Sequence, residues 1–293
     1  MYTNRLAASL QFHLPLFTFS PMMLLKKILE KLNGLQYRQD YLCFATEAFQ
    51  EPLQLYLVQQ GSVLKDITHL HAFVGYCPVV FALPQNEQLQ SLPVMETVFS
   101  RERLFAGEKY RRRQAVASLV LKKIHTQSTR EGDIVYFEAV RGRHRFTSPF
   151  HQAVGQLYNR LYNQKPGNVF LKGNLYKQVQ IAYALPRKIC LITVGQNGLY
   201  NLFPTDLHGP VGKSYYIVSL RAGGKACEQV MEAKKIVLSD MKAAAYKNVY
   251  RFGKNHMQPL KDASQFDFSE RKSTLLQLPL PNDAIAYKEL QLA

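Results

Sequence analysis

The sequence predicts an α+β protein, with a mixed α/β N-terminal region followed by an antiparallel, strand-rich C-terminal half. Short apolar runs bounded by turn residues recur towards the C-terminus, as in Ile189–Val194 (ICLITV) and Tyr215–Leu220 (YYIVSL). Helical periodicity is confined to a few short segments. Lys165-Pro166-Gly167-Asn168 is the strongest punctuation in the middle of the chain, which places a boundary between a region 1–165 and a domain 166–293. An antiparallel barrel carrying one or two helices absorbs the elements of the second part.

The first twenty residues are loosely apolar but broken by His13 and Pro15, and no clean small-residue cleavage site follows. A signal peptide is therefore not expected, and Met22-Met23 open a better element and a better start. Met23–Gly34 has Leu24, Leu25, Ile28, Leu29 and Leu32 at helical spacing, with Asn33-Gly34 as a stop. No pattern decides Tyr41–Phe49. Gln54–Val58 reads as a strand, Gln60-Gly61-Ser62 as a turn, and the unbroken apolar run Val79–Leu83 as a buried strand. Gln85–Leu92 is polar and loop-like. Arg103–Lys123 reads as a helix with a basic face, Asp133–Val140 alternates like a strand, and the basic run Arg141–Arg145 that follows is a strand end or a turn. Ser148-Pro149 starts a helix predicted over Thr147–Asn163, in which Val154, Leu157 and Leu161 keep helical spacing. Val169–Leu171 and Val179–Ala184 are candidate strands, Glu228–Lys235 a helix, and Ile236–Leu238 the start of another strand.

The chain has 293 residues, nearly half of them apolar, which excludes a disordered or fibrous protein. The net charge of +16 attracts anions: nucleic acid, acidic headgroups or phosphorylated small molecules. The four cysteines form no C-x-x-C pair, so neither a zinc site nor a disulfide framework is indicated, and a reducing cytoplasm is expected. No run reaches the ~20 apolar residues of a membrane-spanning helix. His69-Leu70-His71, with Asp66 nearby, lacks a third ligand, and no metal is expected.

The chemistry concentrates between Pro186 and Met241. A strand ends in Gly195-Gln196-Asn197-Gly198, whose residues permit a tight reversal. Asn201, Thr205 and Asp206 follow, and the amide and hydroxyl suit the polar edge of a heterocycle. A second strand ends at Ser219-Leu220-Arg221 and passes through Ala222-Gly223-Gly224-Lys225 into a helix. Glycines let backbone approach an anion, two cations neutralise it, and the helix start adds partial charge. His208, beside this segment, reads as a surface residue or a ring contact. An ordinary hairpin and a solvated loop account for each piece taken alone.

In this order the residues Pro186, Ile192-Thr193, Gly195 with Gly198, Asn201, Thr205, Ser219-Leu220 and Lys225 resemble the flavin reductase-like family, as does the closing Leu278–Leu292. The resemblance covers 169–293. It implies an FMN-binding split β-barrel acting as an NAD(P)H-dependent oxidoreductase, with Asn201, Thr205, Ser219, Arg221 and Lys225 as cofactor contacts. It also implies a homodimer and no catalytic acid or base of the protein's own. The family's Ser-Ser-Phe is here Thr205-Asp206-Leu207, and its Pro-Pro is Gly212-Lys213-Ser214. The alternative is a non-catalytic barrel whose basic N-terminal half, with Lys109–Arg113, Lys122-Lys123 and Arg141–Arg145, binds nucleic acid or an acidic partner.

Overall fold

The computed structural model describes residues 21–33, 42–43, 53–85, 93–162, 171–184 and 187–293. The expectations for 1–20, most of Tyr41–Phe49, most of Gln85–Leu92, the punctuation at 165–168, the strand start at 169–170 and Pro186 lie outside these residues. The chain divides into two compact units. One comprises Met1–Tyr37 with Pro149–Phe170, the other Arg38–Ser148 with Leu171–Ala293.

In the first unit α1 (Pro21–Asn33) and α2 (Pro149–Tyr162) pack against each other. Pro149 opens α2 as predicted: its missing N–H is one the first turn cannot use, and its φ is already helical. Leu29 and Val154 are buried, while Leu24, Leu25, Ile28, Leu157 and Leu161 are exposed.

The second unit contains two large antiparallel sheets. The first comprises β2 (Gln54–Gln59), β3 (Ser62–Asp66), β4 (Ala72–Tyr76), β5 (Val79–Pro84), β6 (Val94–Ser100), β7 (Ala115–Thr129) and β8 (Gly132–His144). Their order is β3-β2-β6-β7-β8-β5-β4. Leu57, Phe81, Phe99, Leu119, Leu121 and Phe137 fill its inner face, each contributing about 1.5–3 kcal/mol by leaving water. The two-residue strand β1 (Leu42–Cys43) pairs in parallel with β9 (Arg187–Lys188).

Two expectations are corrected here. Arg103–Lys123 is not a helix: Ala117, Leu119 and Leu121 point into the core while Ser118, Val120 and Lys122 do not, which is the two-residue period of a strand. Val116, Val120, Ile124 and Thr126 are β-branched, and β6 and β8 pair with β7 on both sides, so tertiary pairing decides against helix. Conversely, Val179–Ala184 belongs to a helix, α3 (Leu175–Ala184). Its alternation mimics a strand, yet Tyr176, Val179, Ile181 and Ala182 are buried together and the last two join the core of the sheet. Gly142 on β8 permits this approach, since a Cβ there would lie 3.0 Å from Ile181 Cδ1 and 3.1 Å from Gln178 Cγ. Asn174 serves as Gly142's hydrogen-bond partner, its side chain accepting from Gly142 N and donating to Gly142 O. The N-terminal part of this unit is thus an antiparallel sheet rather than a mixed α/β layer.

The second sheet holds β10 (Cys190–Gln196) and β11 (Leu199–Thr205). The elements that follow are β12 (His208–Val211), β13 (Tyr215–Val218), α4 (Lys225–Ala233), β14 (Lys235–Met241), α5 (Tyr246–Arg251), β15 (Lys261–Asp262), β16 (Phe268–Lys272), β17 (Pro279–Pro281) and β18 (Ala284–Gln291). The five-stranded order is β15-β11-β10-β14-β18. Asn197 and Gly198 both have positive φ, 54° and 78°, and close the two-residue hairpin between β10 and β11. This sheet does not close into a barrel. After β11 the chain leaves it, and β12 and β13 pair with each other and pack on β4 and β5. Gly209 lies against Ala72, where a Cβ would come within 3.2 Å of the alanine Cβ.

Candidate functional site

The register of the five-stranded sheet puts Thr205, Cys190 and Asp240 side by side in one row, because Cys190 pairs with both of the others. Apart from Asn201, opposite Val194, the rest of the same face is apolar: Ile192, Val194, Phe203, Ile236 and Leu238 pack under α4 through Ala226. The polar row is nonetheless buried, with Cys190 1%, Asp240 6% and Thr205 7% exposed. A carboxylate placed there requires partners. Lys188 Nζ binds its Oδ2, the Cys190 thiol donates to Oδ1 at 3.1 Å, and Lys288 stands 4.0 Å away. Burial alone raises the Asp240 carboxyl. The bonds from Lys188 and Cys190 and the two ammonium charges outweigh it and hold the carboxyl below its usual value. For Cys190, burial, the hydrogen bond to Asp240 and its negative charge all push the thiol well above its ordinary range.

His208 sits beside this row. Its Nε2 lies 3.0 Å from the Lys188 carbonyl, which only accepts, so Nε2 carries the proton. Nδ1 then accepts from the Tyr216 hydroxyl at 2.7 Å, and the two rings stack. Loss of water around the imidazole lowers it to about 4, against the opposing pull of the Lys188 carbonyl and Asp206. Tyr216 is driven upward by burial first and by Cys190 and Asp240 second. Asp206 is held by Arg187. Arg187 donates to its Oδ2 from Nη2 at 2.6 Å and Nε at 3.1 Å, and also binds the Ala182 carbonyl and covers the Phe73 ring at 4.7 Å.

The five residues singled out from the sequence divide. Thr205 and Ser219 come together: Thr205 Oγ1 accepts from Leu207 N at 3.4 Å, and Ser219 N donates to Leu207 O at 2.8 Å. Arg221 and Lys225 are exposed and flank the turn into α4, where Gly223 has φ +71° and Gly224 is the N-cap. This turn is linked to the end of β11. A Cβ on Gly224 would lie 3.7 Å from Met257 Sδ, and the adjacent His256 Nε2 donates to Pro204 O at 2.8 Å. Among the described residues, the Lys225 and Ala226 backbone N–H groups, the Ser219 hydroxyl and the Arg221 guanidinium take no acceptor. Lys225 Nζ is paired with Glu228 at 2.8 Å.

Asn201 stands apart. It lies four residues back along β11, roughly 13 Å from Thr205 at strand rise, and is 1% exposed beneath α4. Its Nδ2 donates to Gln229 Oε1 at 2.7 Å and to Asn255 O at 3.0 Å, and its Oδ1 accepts from Leu202 N at 2.8 Å. Sequence reasoning missed the Lys188–Asp240 pair and Tyr216. The available signal was a lone acid ending the apolar run KIVLSDM opposite a lysine that precedes ICLITV. His71 is half-buried, its Nδ1 2.8 Å from Ile67 O and its ring edge-on to Phe81 at the edge of the core. Among the described residues no group of three or more metal-ligating side chains occurs. No helix among them is long and apolar enough to cross a membrane.

No family model matches the chain, and no curated protein sequence does. Among solved structures, the crystal structure of 2-nitrobenzoate 2-nitroreductase NbaA from Pseudomonas fluorescens is similar over 36% of this chain, with 20% identity and a TM-score of 0.31. The aligned part spans 54% of that chain, about half its length.

Proposed function

We propose that residues 166–293 carry a flavin site and that the protein is an FMN-dependent oxidoreductase with NAD(P)H as electron donor. The observation that carries this reading is the Ser219 N to Leu207 O bond, which extends the β12–β13 hairpin by one pair and sets the two segments at its base side by side. One is the polar 205–207 connection, suited to a ring edge. The other is the Arg221–Lys225 turn, with its unpartnered N–H groups and glycines, suited to a phosphate. An acid such as Asp206 would repel a nearby phosphate, and Arg187 neutralises it. Bound flavin would supply the two-electron hydride chemistry, and the protein needs only to position it. Ser219, Thr205 and Arg221 are the contacts in this reading. Lys225 contributes charge from within its Glu228 pair, and Asn201 positions α4. A split-barrel relationship for residues 166–293, a homodimer and a cytoplasmic location belong to the same proposal.

The test is paired titration with FMN and riboflavin, which differ by the phosphate. Arg221 engaging the phosphate is worth about 1.5–3 kcal/mol as a charge-assisted bond, so FMN binds about 10–100-fold tighter than riboflavin. Arg221→Ala narrows that gap without weakening riboflavin. Equal affinities in the wild-type protein, or no binding of either, overturn the proposal.

A further inference from the structure

The outer face of the seven-stranded sheet carries a basic strip that the flavin reading does not use. Between Arg101 and Arg145 there are twelve Lys and Arg against five Asp and Glu. The fold sorts several of them onto one side. Ser118 pairs with Arg143 and Val120 with Arg141, and Lys122 follows at the next outward position. The residues between these on β7 point into the core. The face is covered at one end by Leu104 and Tyr110, packed on Tyr56, Val63 and Val98. It is covered at the other by Val211, Tyr215 and Ile217, packed on Ala72, Ala82 and Ile134. Between these covers β7 and β8 lie open, a width of about two strand spacings, or ~10 Å.

Arg111, Arg112, Arg113, Lys122, Arg141 and Arg143 are all exposed, and among the described residues none is in an ion pair. Elsewhere Arg187, Lys188, Lys225, Lys242 and Lys288 each face a carboxylate. Arg112 and Arg143 both lie near enough to the Tyr110 phenol to act on it electrostatically. Of the acids on the strip, Glu96 accepts from Tyr110 at 3.3 Å and Glu138 is the cross-strand neighbour of Lys122. The cations outnumber these acids, so like charges in the row repel one another, and an extended polyanion relieves that repulsion.

We infer that this strip binds single-stranded nucleic acid through its phosphates. Guanidinium forks match phosphate oxygens in geometry as well as charge. The cations run along two strands, which suits a continuous phosphodiester better than an isolated anion. The open width admits one strand and not a duplex. Val140, 49% exposed beside Arg141, and Val120 give unstacked bases an apolar floor.

The test is fluorescence anisotropy with a labelled mixed-sequence single strand of about 20 nucleotides, long enough for one groove, titrated between about 50 and 200 mM salt. Wild-type protein binds with a steep salt dependence. Arg141→Glu with Arg143→Glu removes two phosphate contacts. It weakens binding by about tenfold or more at low salt and flattens the log–log slope by about 1.4, at ~0.7 per contact. Lys247→Glu with Lys254→Glu changes the net charge equally at exposed positions on α5 and the Phe252–Met257 segment that follows it and leaves the slope unchanged. Both variants are exposed-site changes, and matching thermal melts confirm that both fold. The inference is overturned if the wild type does not bind, if the two variants lose binding equally, or if anionic vesicles or duplex bind more tightly than the single strand. None of these results bears on FMN affinity.

Discussion

Replacing Asn201 with Ala separates a positioning role from a cofactor contact, and its size follows from the geometry. The amide donates to two buried acceptors, Gln229 Oε1 at 2.7 Å and Asn255 O at 3.0 Å. Gln229 and Asn255 are themselves 7% and 4% exposed, so water does not replace the lost donor. Each orphaned acceptor costs about 1–3 kcal/mol, giving roughly 3 kcal/mol for the pair once partial rearrangement is allowed. For a unit of this size that lowers Tm by about 6–12 °C. The network continues through Gln229 Nε2 and Asn255 Nδ2, which bond Gln258 O and Leu202 O at 2.8 Å each, so α4 and the Phe252–Met257 segment loosen together. The assay is thermal melting followed by circular dichroism, with FMN affinity read at a temperature where the variant is folded. A melt within about 2 °C of wild type would refute the reasoning, because it would mean the buried acceptors find other donors.

Asp240→Asn leaves Lys188 without its counter-ion and costs about 2 kcal/mol in urea unfolding, less than for a fully buried pair because the Lys188 side chain is 25% exposed; a change under about 0.5 kcal/mol contradicts the Lys188–Asp240 account. His208 is held neutral at about 4 when folded against 6.5 as its ordinary value, so its contribution is complete above pH 6.5 and is lost as pH falls towards 4. The loss is about 2 kcal/mol after allowance for the ring's partial exposure. His71, His144 and His256 are lowered in the same sense, so the assay is the difference in pH slope between wild type and His208→Gln. Parallel slopes from pH 7 to 4.5 exclude a contribution from His208. In alkylation with iodoacetamide at mildly alkaline pH, Cys77 and Cys227 react in the folded protein, whereas Cys190 reacts only on unfolding. Mass spectrometry of the labelled peptides decides it.

The strands were legible wherever a short apolar run was closed by turn residues. Val79–Leu83, Ile189–Val194 and the Asn197-Gly198 hairpin all read directly, because a buried strand and a two-residue turn are local properties. Two elements were not local. The basic Arg103–Lys123 segment has apolar residues that fit either period, and pairing with β6 and β8 chose the strand. Val179–Ala184 alternates on paper, but Gly142 leaves room for a helix to lie on β8. The departure of β12 and β13 from their own sheet depends on packing against Ala72 and Ala82, over a hundred residues earlier, and no local pattern announces it. In the candidate site, Thr205 and Ser219 were named from the order of the motifs, and their adjacency needed the fold. Asn201 carries the right chemistry for a ligand contact, yet its amide is committed to α4 and to the Asn255 carbonyl. The Asp240 cluster was invisible because its members are single residues on separate strands, joined only by register.

The most direct test of the central claim is the visible spectrum of the full chain after incubation with FMN and removal of free flavin, followed by anaerobic addition of NADH and then NADPH. The flavin assignment predicts a retained visible flavin band that bleaches with one of the two nucleotides, and less retention in Arg221→Ala. A protein that emerges colourless from the column, with FMN eluting separately, contradicts it.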